Sequence, residues 1–77
     1  MGATLSGRDR AILRAVGGGT AELEATDLYV DGRHCCDQFA ARRLTTIGLI
    51  TTDGPARSGV RVPARLTVAG REMLRAC

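Results

Sequence analysis

The feature that most restricts the fold of this chain is a change of hydrophobic period at Gly48. Before it, residues 37–47 repeat at helical spacing. Steps of about 100° per residue place Ala40, Ala41, Leu44 and Ile47 on one arc and Gln38, Arg42, Thr45 and Thr46 on the opposite one. Asp37 is a favourable N-cap, and Gly48 stands where a helix closes in the left-handed conformation. After it, Leu49 to Thr52 is rich in β-branched residues. Residues 60–66 then alternate, with Val60, Val62, Ala64 and Leu66 on one side and Arg61, Pro63 and Arg65 on the other. Two glycines and a proline between Asp53 and Gly59 mark a turn. The stretch predicts a helix over 37–47 and a ribbon of strands 49–52 and 60–66. Proline withholds one ladder donor, so Pro63 predicts a sheet edge or a bulge.

The flanking segments add two helices and a set of short strands. Ser6 and Asp9 have capping-box spacing, and Leu5, Ile12, Leu13 and Val16 share one arc of a helix over 7–16 that Gly17, Gly18 and Gly19 end. Arg10 and Arg14 face away from that arc. The glycine run lacks a preceding strand and a following Lys-Ser/Thr, so it reads as a turn and not as a nucleotide loop. Residues 20–25 alternate, and Asp31-Gly32 between two short extended pieces is a hairpin signal. Strands are expected near 20–25, 28–30 and 33–35, with a short helix over 20–26 as the alternative. Thr67 caps a last helix over 68–75. Met1 to Thr4 are expected to fray. The expected core is Leu5, Ile12, Leu13, Val16, Leu28, Val30, Ala40, Leu44, Ile47, Leu49, Val62, Leu66 and Met73.

At 77 residues the chain is one domain, near the lower size limit for a single unstapled core, so self-association as a homodimer is an open expectation. No apolar run approaches the length of a membrane span, and no secretory leader is evident, which together predict a cytoplasmic protein without membrane partners. The net charge of +3 is unevenly placed. Residues 1–32 hold three arginines against five carboxylates, whereas residues 33–65 hold six against two. Basic charge is thus expected on the central helix and ribbon.

Chemistry that needs a built site finds little support. Adjacent Cys35 and Cys36 bridge each other poorly, because neighbouring α-carbons are about 3.8 Å apart. His34, Cys35, Cys36 and Cys77 offer four soft ligands but no paired Cys-x-x-Cys spacing, so no metal is expected and a cysteine-based metal or redox sensor is the weakest reading. The cysteines are expected to be small buried apolar residues, with a surface thiol that forms an intermolecular disulfide as the alternative at Cys77. A single histidine, no clustered carboxylates and little mass for a deep pocket argue against an enzyme. No cofactor is expected.

The helix and ribbon fit a different role. Gln38, Arg42 and Thr45 line one helix edge, and glutamine and arginine bond base edges bidentately in a major groove. Arg43 and Thr46 flank them. Arg57 at the ribbon tip, with Arg61 and Arg65 behind it, is placed for phosphates or a minor groove.

The order of parts carries a resemblance. Ala40-Ala-Arg-Arg-Leu44, then Gly48-Leu-Ile50, a wing-like loop and Leu66-Thr-Val-Ala-Gly70-Arg-Glu-Met-Leu74 resemble winged helix-turn-helix regulators of the multiple-antibiotic-resistance repressor (MarR-like) type. The likeness covers residues 37–75. It implies an α+β, winged-helix-like fold with three helices and a two-stranded wing, to which the residues themselves add an extra short hairpin. It also implies a recognition helix over 37–47, a basic wing over 51–61 and a transcription regulator bound to double-stranded DNA. The family's helix before the recognition helix has no counterpart here, since Asp27 to Cys35 reads as a hairpin, and its long dimerisation helices are missing. Winged helices also serve as protein-binding modules, so an adaptor or inhibitor with a protein partner is the alternative.

Overall fold

Ser6 and Asp9 start the first helix by reciprocal bonding. The Ser6 hydroxyl accepts from the Asp9 amide, and the Asp9 carboxylate accepts from the Ser6 amide, each at 3.0 Å. In the computed structural model, which describes residues 5–76, this helix is α1, Gly7–Gly17. The expectations for Met1 to Thr4 and for Cys77 lie outside those residues.

Three strands follow, β1 (Ala21–Glu24), β2 (Asp27–Val30) and β3 (Arg33–His34). Each is joined to the next by two residues. Asp31 and Gly32 both adopt positive φ, 53° and 78°, as the tight hairpin turn demands. The strand reading of residues 20–26 holds, and the short helix does not form.

Helix α2, Gln38–Thr46, is capped by Asp37, whose carboxylate accepts from the Ala40 amide at 2.9 Å. It ends at Gly48, with φ 85°. Strands β4 (Ile50–Thr52) and β5 (Arg61–Leu66) form the ribbon, and α3, Val68–Arg75, closes the described chain.

The five strands form one antiparallel sheet in the order β3-β2-β1-β5-β4. That is one strand more than a wing plus a hairpin, because β1 joins the two by pairing Leu23 with Val62. The edge expected at Pro63 is a local one, within a strand that is interior in the sheet order. Its strand lies between β1 and β4, yet residues 61–63 pair with β1 and residues 64–66 with β4. Pro63 faces Glu22 at a point where the β4 ladder does not reach, so its missing donor interrupts no bond on that side.

All three helices pack against the sheet, α1 against β5 and β1, α2 against β2 and β4, and α3 against β5. Leu13, Leu28 and Leu44 are wholly enclosed between the layers. The expected core is corrected at two positions, Ile47 and Val62. Ile47 is 45% exposed, since it is the cap residue beyond the last turn of α2. Val62 is half-buried on β5, and Val60 is exposed before that strand begins. Val30 and Met73 pack on the core while remaining partly exposed. Ala21, Leu23, Ala41, Ile50 and Ala64 are buried in addition.

The junction of α2 and α3 explains two of the motifs. Thr67 Oγ1 donates to the Gly48 carbonyl at 2.6 Å and accepts from the Gly70 amide at 2.9 Å, while the Thr67 amide donates to the Leu49 carbonyl at 3.1 Å. A Cβ on Gly70 would lie 2.2 Å from that same carbonyl oxygen. Gly48-Leu49 and the Thr67-to-Gly70 turn are therefore two halves of one packing contact. Among the described residues no helix is long and apolar enough to cross a membrane.

Candidate functional site

The outer face of α2 is centred on Phe39, which is 83% exposed. Arg42, Arg43 and Thr46 follow at spacings of three, four and seven residues, and Ile47 adds a second exposed apolar side chain at the helix end. Phe39 was missed by sequence reasoning that weighed only polar side chains on this arc, although the same helical steps place it between Arg42 and Arg43. An unburied phenylalanine in a chain with two aromatic residues is the signal that was available.

The residues expected to meet DNA are held as follows. Gln38 turns inward: its Nε2 donates to the carbonyls of Leu28 (2.9 Å) and Cys35 (2.8 Å), and its Oε1 accepts from the Leu28 amide (2.8 Å). Both amide hydrogens are thereby used in tying α2 to β2. Thr45 is half-buried and donates to the Ala41 carbonyl at 3.0 Å, whereas Thr46 is exposed. Arg42 Nη2 lies 3.2 Å from Asp27, and Arg43 binds Asp9. Arg61 lies over the Tyr29 ring, 3.8 Å from its centroid, with Glu24 at 3.6 Å. Arg65 pairs with Asp53 at 2.6 Å. Arg57, exposed at the ribbon tip, is the one nominated arginine without a carboxylate partner among the described residues.

These pairs have a common origin. Arg42, Arg43 and Arg61 come from the basic middle of the chain, and their partners Asp27, Asp9 and Glu24 from the acidic first segment. Arg8 and Asp37 make the converse pair at 3.2 Å. Folding thus superimposes the two charge blocks that lie apart in the sequence.

Asp9 is the buried member of this set, only 1% exposed. Burial alone would raise its pKa, but hydrogen bonds from Arg43 and from the amide and hydroxyl of Ser6, with the charge of Arg43, outweigh that and hold the carboxyl below its ordinary value. The Ala40 amide and the Arg8 guanidinium likewise hold Asp37 below the usual carboxylate range.

On the sheet face away from the helices, His34 meets Tyr29 edge-on, with ring centroids 5.2 Å apart. The cysteine expectation is corrected: Cys35 is half-buried against the core, but Cys36 is exposed, because it follows the end of β3. Among the described residues no three histidine, cysteine or acidic side chains are grouped to hold a metal. Comparisons with protein-family models, with curated proteins and with solved structures find no match to this chain.

Proposed function

We propose that this chain is a small, winged-helix-like protein-interaction module of the cytoplasm, which docks a protein partner on the outer face of α2. The observation that carries this reading is Phe39, a large aromatic side chain left 83% exposed at the centre of the face. Covering such a ring contributes roughly 1.5–3 kcal/mol, and aromatic and arginine side chains at the centre of a patch are the usual anchors of protein interfaces. Arg42 and Arg43 flank the ring already neutralised by Asp27 and Asp9. That suits a protein rim better than a phosphate backbone, because releasing Arg42 would leave the Asp27 carboxylate beside the incoming phosphate. The order of α2, the β4–β5 ribbon and α3 supports the winged-helix description.

Duplex DNA is the second reading, favoured by unpaired Arg57 at the ribbon tip. The two readings differ in a titration of duplex DNA across ionic strength, run on the wild-type chain and on Arg42→Ala. The protein-partner reading expects weak binding with no preferred sequence and no change on substitution. Tight, salt-sensitive binding that loses discrimination by about 1–3 kcal/mol in Arg42→Ala would establish the DNA reading instead.

A further inference from the structure

Two of the arginines that the ion pairs leave free meet on another side of the molecule. Among the described residues Arg10, Arg14, Arg33, Arg57, Arg71 and Arg75 have no carboxylate partner. Two of them, Arg14 on α1 and Arg71 on α3, border one groove of about 440 Å³ between the end of α1, β5 and α3. Its lining is mainly aliphatic, with Val16, Leu66 and Leu74 contributing, and Arg65 forms part of its rim. No acidic side chain lines it. Arg65 is held by Asp53, and Arg71 donates to the Leu66 carbonyl at 3.4 Å, so among the described residues no carboxylate compensates the guanidinium charges of Arg14 and Arg71.

We infer that this groove is a docking site for an acidic, amphipathic segment of a protein partner, one bulky aliphatic or aromatic side chain entering between α1 and α3 while flanking carboxylates meet Arg14 and Arg71. Charge complementarity selects the occupant: two free cations on an apolar cleft match carboxylates spaced around an apolar anchor. Nucleic acid fits less well. A single strand binds by stacking its bases on aromatic side chains, and this groove has none; a duplex presents a charged backbone with nothing apolar to fill the cleft. The inference is independent of the α2 face, since neither Phe39 nor any other α2 residue lines the groove.

The test is a titration of the isotopically labelled full chain with a synthetic peptide in which glutamates flank a leucine-phenylalanine pair, followed by amide chemical shifts. Saturable shifts should centre on Arg14, Gly17, Leu66 and Arg71. The double variant Arg14→Glu, Arg71→Glu should lower affinity by about tenfold or more, and a peptide with lysines in place of the glutamates should bind that variant better than it binds the wild-type chain. Both side chains are exposed, so a circular-dichroism melt should be unchanged. Should the reversal unfold the chain, Arg14→Gln with Arg71→Gln serves for the same loss. Three results would overturn the inference: no shift in the groove at millimolar peptide, shifts centred on Phe39, or affinity unaltered by substitution. Displacement of the peptide from the groove by an oligonucleotide would overturn it as well.

Discussion

Arg43, which flanks the helix edge expected to meet DNA, ties α2 to the start of α1. Its guanidinium compensates the buried Asp9 carboxylate at the start of α1. Arg43→Ala would leave that carboxylate buried with only its Ser6 bonds, at a cost of about 1–3 kcal/mol. The pH dependence has a definite sign. A carboxyl whose folded pKa is depressed contributes stability above its unfolded value, about 3.9, and that contribution is lost as pH falls through the folded value. Removing Arg43 lets burial dominate, so Asp9 should titrate higher and the acid transition of the variant should move to higher pH. Melts of both proteins between neutral and acidic pH check this, and an unchanged acid midpoint would contradict it. Gln38 likewise ties α2 to β2. A helical wheel shows which side of α2 it occupies, but not that the Leu28 backbone waits there to be bonded.

The elements themselves were legible wherever their ends are signalled locally. Ser6, Asp37, Thr67 and Gly48 cap or close the three helices through bonds that span a few residues, and the Asp31-Gly32 turn needs only its own two dihedral angles. Sheet order was not legible, because the β1–β5 pairing joins Leu23 to Val62 across the whole of α2. That same pairing places β5 inside the sheet, although at Pro63 only the β1 side is paired. The α2–α3 junction yields a prediction at this scale. Alanine favours a helix over glycine by about 1 kcal/mol, so Gly70→Ala would stabilise an isolated α3. In the folded chain the new methyl group meets the Leu49 carbonyl, and overpacking against backbone costs about 1–3 kcal/mol. Because the obstacle is backbone, the upper end applies, and the net cost of about 2 kcal/mol should lower the melting temperature by roughly 8–16 °C. An unchanged or raised value would mean that α3 does not lie against Leu49 as described.

For the molecule as a whole, the segment charges that suggested a DNA footprint describe complementary sides of contacts made on folding. The basic middle is answered by Asp9, Glu24 and Asp27, and what remains is a mixed-charge surface with an exposed Phe39 on α2 and a separate cationic groove beyond α1. Apart from Arg43–Asp9, whose carboxylate is buried, these pairs are largely exposed and contribute only about 0–1 kcal/mol each, so they do not hold the fold together. Their consequence is for recognition, since pairing Arg42 and Arg43 lowers the positive charge that the α2 face offers to phosphates. The most direct test replaces Phe39 with a photoreactive benzoylphenylalanine in the full chain and irradiates cells that carry it. The account predicts a discrete protein adduct at position 39 that Ile47→Asp, on the same face, suppresses. A nucleic-acid adduct, or no adduct at all, would contradict it.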